Sequence, residues 1–172
     1  MEGQQTASNA AHKTIVALCM DGSKHSDYAL EYYMEKVHRP DNEVHVIHCG
    51  NYKAMESLSM SMAPAEPGLL QSVINEEERR IQDTMEHIKQ KLHEWHLNAV
   101  ISRIHGDPAH VLLHKCNEIG AKMIVIGSRG QGKIRRTFLG SVSDYIVHHA
   151  HVPVIVCKHE SHFHPHHGHA NH

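Results

Sequence analysis

An α/β domain on a parallel sheet is the fold class this sequence predicts, and three observations predict it. Short apolar runs of strand length alternate with stretches of helical periodicity from Thr14 to Cys157. The first run, TIVALCM at 14–20, is apolar at both parities, as a strand covered on both faces must be. A later run, Met123–Ile126, stops at Gly127 and opens onto Gly130 and Gly132, with Gly140-Ser141 heading an amphipathic segment. Strand, glycines and helix start, in that order, are what anion binding requires. Glycines admit backbone N–H groups close to an anion, and a helix start adds unpaired donors and a positive dipole end.

The elements follow in order. Thr14–Met20 is the first strand; Asp21-Gly22-Ser23 is a turn, and Ser23 or Ser26 caps a helix to about Val37 with Tyr28, Ala29, Tyr32 and Tyr33 on its buried stripe. Val44–Cys49 is the second strand. Residues 51–68 carry Met55, Met60 and Met62 among serines and two prolines, and are expected to be a flexible loop. Leu69–Leu97 repeats apolar residues at three- and four-residue steps and is expected to be one long helix. Ala99–His105 is the third strand. Asp107 then caps a helix with Pro108 in its first position, ending near Gly120. Met123–Ile126 is the fourth strand, Ser141–Ala150 a helix and Val152–Cys157 the fifth strand.

Composition bounds the function. With 172 residues, 40% of them apolar, the chain suits a single domain at 13–158 between a disordered 1–12 and a histidine-rich 159–172. A net charge of −2 gives no global basic field, so nucleic-acid binding is not expected. No apolar run approaches the ~20 residues of a membrane span, and the polar N-terminus lacks a signal-peptide core. Cysteines at 19, 49, 116 and 157 show no CxxC spacing, so they read as reduced thiols of a cytoplasmic protein.

Ligands of open parallel sheets bind at the carboxyl ends of the strands, near the reversal of strand order. Asp21, Cys49, Gly106 and Gly127 all fall at such ends. The segment GSRGQGK at 127–133 nearly matches a Walker A loop, but Ile134 replaces the hydroxyl that would meet Mg²⁺, which disfavours an ordinary P-loop NTPase. The spacing Gly127, two residues, Gly130, nine residues, Gly140-Ser141 resembles instead the ATP-binding motif of the universal stress protein family. Asp21-Gly-Ser after the first strand, HC ending the second, GDP after the third and VPVIVCK at the last extend the resemblance over about 13–158.

That resemblance implies a five-stranded parallel sheet in order 3-2-1-4-5 with helices on both faces, and a homodimer through the last strand. It also implies ATP as ligand. Asp21 would lie at the adenine and ribose, Cys49 against the base, and Ile126 and Gly127 along the ribose. Gly130, Gly140, Ser141 and Val142 would meet the phosphates. The chemistry agrees: Asp21 is an acceptor for a ribose hydroxyl or the adenine amine, and Arg129 or Lys133 supplies positive charge, whereas Arg135 and Arg136 read as solvated surface. Mg²⁺ or Mn²⁺ is implied by the triphosphate. No general base is evident; Asp144 and His148, one helical turn apart, read as an exposed pair. The expected function is a nucleotide-dependent switch in stress response with at most slow ATP hydrolysis, against two rivals, a true phosphohydrolase and a metal-binding scaffold.

The second rival rests on the 21 histidines, seven of them in the last fourteen residues. His162, His164, His166, His167 and His169 are candidate ligands for a transition metal by composition alone. His45 and His48 point to opposite faces of the second strand by parity and read as surface or satisfied polar residues. Cys19 and Cys49 sit at the carboxyl ends of neighbouring strands and read first as packed, inert thiols, with oxidation that gates nucleotide binding as the alternative.

Overall fold

Five strands pair in the order β3-β2-β1-β4-β5, all parallel, as the resemblance implies. The computed structural model describes residues 13–50, 67–130 and 139–159. The expected N-terminal tail, residues 51–66 of the loop, Gly132, Lys133, Arg135, Arg136 and the five candidate metal-ligating histidines lie outside the described residues.

The elements are β1 (Thr14–Cys19), α1 (Lys24–Tyr32), β2 (Asn42–Gly50), α2 (Pro67–Glu94), β3 (Ala99–His105), α3 (Pro108–Glu118), β4 (Met123–Gly127), α4 (Ser141–His149) and β5 (Val154–Cys157). Alternation along β1 divides the interior into two cores. Val16, Leu18 and Met20 face Ala29 and Leu30 of α1 and Ile88 and Leu92 of α2. Ala17 and Cys19 face Leu112, Leu113 and Cys116 of α3 and Ile146 of α4. The apolar stripe of each helix thus covers one side of a sheet whose central strands are apolar on both sides.

Element ends differ from expectation where a single residue decides them. The first helix was expected to run to Val37; its last turn, Tyr33–Val37, is a π-helical turn closed by His38 N–H donating to the Tyr33 carbonyl at 2.7 Å. Tyr33 is fully buried there, while its hydroxyl reaches Asn42 and His38, each at 3.0 Å. Helix α2 ends three residues before Leu97 because His96 adopts φ 49°, and Leu97 N–H then closes on the Leu92 carbonyl at 2.9 Å. Strand β5 begins at Val154, not Val152, since Pro153 has no N–H for the ladder, although its carbonyl accepts from Ile124 N–H at 3.0 Å.

Helix α3 starts as the sequence requires. Asp107 Oδ1 accepts from the N–H groups of Ala109 and His110 at 3.1 and 3.2 Å, and Pro108 fills the first position.

Candidate functional site

The strand order reverses between β1 and β4, and the loops beyond their carboxyl ends carry most of the candidate residues. After β1, Asp21 Oδ1 accepts from Ser23 N–H at 3.0 Å, and Ser23 Oγ caps α1 through Ser26 N–H at 3.3 Å. Gly22 between them holds φ 76°, the left-handed region that favours glycine. The turn therefore presents the Asp21 carboxylate in a fixed attitude.

Beyond β4, Gly127 pairs with Cys157, and Ser128 continues the link by donating its N–H to the Cys157 carbonyl at 2.7 Å. The Ser128 carbonyl accepts from Gly140 N–H at 2.7 Å and from the Ser143 hydroxyl at 2.9 Å. Both ends of the glycine segment are thus tied together at one point. Gly130 lies against Asp21: a Cβ on it would collide with the Asp21 carboxylate oxygen. The spaced glycines and the aspartate share one crevice.

Gly140 is the N-cap of α4 and offers no side chain to its first turn. Ser141 is exposed there, Val142 is half-buried against the second core, and Ile126 is 6% exposed within it. Arg129 is half-buried, and its charge acts on His25, whose affinity for a proton is lowered by burial first, then by His159 and Arg129, against the opposing effect of Asp21. His159 stands edge-on to both His25 and Tyr28, with ring centroids 6.0 and 5.6 Å away.

Cys49 lies one strand over. Register sets Cys19 beside Ile47, so Asp21 and Cys49 reach the same level of the sheet edge. The Cys49 thiol faces the Gly50 and Gly106 carbonyls at 3.7 Å, and burial pushes it up to about 11. Cys19 does not partner it. The Cys19 thiol shares a hydrogen bond with Cys116, and that bond, with complete burial, raises it well above the ordinary thiol value. Both thiols are held protonated, which suits packed, inert cysteines better than a redox gate, and all four cysteines are free.

Asp144 and His148 do lie at the surface, 3.7 Å apart and each more than half exposed. Among the described residues no group of three or more His, Cys, Asp or Glu side chains could hold a metal ion, and no helix is long and apolar enough to cross a membrane. Sequence reasoning did not assign Ser128 and Ser143, which lock the glycine segment, or His25. A serine at a strand end between glycines, answered by a serine in the next helix's first turn, is the signal that was available.

The universal stress protein family model matches residues 13–158. The chain belongs to the universal stress protein family. The family's universal stress protein YxiE of Bacillus subtilis is 28% identical over 148 residues, which cover 86% of this chain and 99% of that one. Among solved structures, the universal stress protein UspA from Lactobacillus plantarum superposes with a TM-score of 0.69 at 18% identity, covering 86% of this chain and 99% of its own. A family protein from Arabidopsis thaliana, solved with AMP bound, gives a TM-score of 0.59 at 19% identity, covering 86% and 93%. Both structures share the fold, an open parallel sheet with helices on both sides.

Proposed function

We propose that this chain binds ATP in the crevice between the ends of β1 and β4 and works as a nucleotide-dependent switch in stress response, with at most slow hydrolysis. The observation that carries the reading is the meeting of the Asp21 carboxylate with Gly130 and, through Ser128, with the head of α4 that no side chain caps. Asp21 accepts from the adenine or ribose side, and Cys49, Ile126 and Gly127 line that end. Gly130, Ser141 and Val142 offer backbone N–H groups to the phosphates, Gly140, whose own N–H is held by the Ser128 carbonyl, lets them approach without a side chain, and Arg129 offers charge. The α4 dipole favours the same anion. The AMP bound to the Arabidopsis thaliana relative supports adenine as the base.

The triphosphate would bring Mg²⁺ or Mn²⁺ with it, since the described residues contain no carboxylate cluster of their own. Slow turnover is part of the same reading, in which Asp21 holds the nucleoside and the exposed Asp144–His148 pair is surface rather than an acid–base pair. The same reading has the chain in the cytoplasm and paired through β5, an edge of the sheet.

The test is to denature freshly purified protein and identify the released nucleotide by mass spectrometry, beside a Gly140→Arg variant. Adenine nucleotide near one per chain from the native protein, and none from the variant, is expected. Failure of the native protein both to release nucleotide and to bind added Mg-ATP overturns the reading.

A further inference from the structure

The chain leaves β1 through Met20, which is 2% exposed, and both polar groups of that residue are held by β2. Met20 N–H donates to the Ile47 carbonyl at 3.0 Å. The Met20 carbonyl accepts from Nδ1 of His48 at 2.9 Å. The first bond belongs to the sheet ladder, whereas the second is made by a side chain that is itself only 5% exposed. The next residue is Asp21.

The tautomer follows from this contact. A carbonyl oxygen only accepts, so Nδ1 must carry the hydrogen, and in the neutral ring Nε2 is left as an acceptor. Burial lowers the proton affinity of His48, with Arg103 and His105 acting in the same direction. The Met20 hydrogen bond and the Asp21 charge oppose them. The ring therefore stays neutral at pH 7 and keeps one defined donor.

The consequence is geometric. The Met20 carbonyl belongs to the peptide joining Met20 to Asp21, so fixing it fixes the plane from which Asp21 departs. Asp21 then makes its bond to Ser23 N–H and sets its second carboxylate oxygen against Gly130. With an apolar residue at position 48 the Met20 carbonyl would be buried without this donor, and the turn would relax to satisfy it.

We propose that His48 is a positioning residue for Asp21, orienting the carboxylate for nucleotide by donating from Nδ1 to the Met20 carbonyl. The inference rests on the reading of Asp21 as a nucleotide contact, but its geometric half stands without ligand. Two variants separate donor from bulk. His48→Val removes the donor, and His48→Asn replaces it with an amide N–H at the reach of Nδ1.

The first readout is hydrogen exchange at the Ser23 amide in nucleotide-free protein, with the Ile124 amide, which donates to Pro153, as a control for global opening. His48→Val is expected to speed Ser23 exchange about tenfold relative to Ile124, and His48→Asn to restore it. Titration with Mg-ATP is the second readout. His48→Val is expected to weaken binding about tenfold, and His48→Asn to recover most of the loss.

Unchanged Ser23 exchange in His48→Val overturns the inference whether or not ATP binds. Wild-type protein that binds no ATP sinks the functional reading, and the exchange result then judges the geometry alone. Should His48→Val not fold, the nitrogen chemical shifts of His48 in the wild-type protein decide. An Nδ1–H tautomer with a slowly exchanging proton upholds the bond, and an Nε2–H tautomer overturns it.

Discussion

A Cβ added at Gly127 would lie 2.8 Å from the carbonyl carbon and oxygen of His25, whereas one added at Gly140 would meet nothing nearer than 3.5 Å. The first is a collision with the backbone of α1, which no side-chain movement relieves. Ordinary van der Waals contact describes the second. Gly127→Ala is therefore expected to lower stability by about 1–3 kcal/mol, read as the urea midpoint at constant slope. Gly140→Ala should cost less than about 1 kcal/mol, the usual price of a weaker N-cap. Equal losses at the two positions would contradict this division. In sequence the two glycines are indistinguishable members of one motif; the packing of α1 against the end of β4 separates them. Cys49 makes a similar point. Its place at a strand end was legible, its chemistry was not, because burial against Gly106 is a long-range fact. With the thiol pushed up to about 11, alkylation by iodoacetamide should stay slow through neutral pH and accelerate only as pH approaches that value. Fast labelling of Cys49 at pH 7 would show that the side chain is not held in this environment.

At the scale of elements, the long helix α2 is tied to the edge strand β3 by one paired contact. Arg103 Nη1 and Nη2 meet the two carboxylate oxygens of Glu78 at 2.8 and 2.6 Å. The hydrogen bonds to Arg103 pull the Glu78 carboxyl from 4.5 down to about 2. A carboxyl whose value is depressed on folding contributes stability that is fully present above its unfolded value. That contribution is lost as pH falls through the folded one. Glu78→Gln should thus be less stable than wild type at pH 7, and the gap should close as pH is lowered from 4.5 towards 2. A gap independent of pH would mean that the carboxylate charge does not hold the helix. Neither partner is marked in the sequence as a pair, since 25 residues and a helix-to-strand reversal separate them. The elements themselves were legible because their signals are local: apolar runs for strands, the Asp107-Pro108 cap for α3, three- and four-residue steps for α2. Their ends were less so. The π-helical turn at Tyr33–Val37 answers to Tyr33 reaching Asn42 across the fold, and the end of α2 answers to His96 in a left-handed conformation that sequence usually reserves for glycine.

For the whole molecule, the sheet divides two cores, and the crevice lies at their boundary, at the carboxyl ends of β1 and β4, with Ile126 and Val142 of the second core along it. The polar groups in that boundary region carry a cost that the cores do not. His48 is buried under the end of β1, facing Asp21, Arg103 and His105; His25 packs on Gly127, facing His159, Arg129 and Asp21. Burial is the largest cause in both, and it lowers both rings below the ordinary value of 6.5. The sign of the linkage is then fixed. Below pH 6.5 the unfolded chain takes up protons at these two positions that the folded protein refuses, so acid favours unfolding. The melting temperature is expected to fall as pH drops from about 7 to about 5, a window above the range in which Glu78 and its like titrate. His48→Asn carries no titrating ring, so its melting temperature should fall less steeply over the same window while its structure is kept by the retained donor. A variant slope equal to that of wild type would show that His48 takes up its proton in the folded state as readily as in the unfolded one. The buried, neutral ring assigned to it here would then be wrong. The same experiment run with saturating Mg-ATP links the crevice to the fold as a whole. Ligand that binds only the folded chain raises the melting temperature at every pH. The rise should shrink toward pH 5 if protonation loosens the end of β1 that presents Asp21.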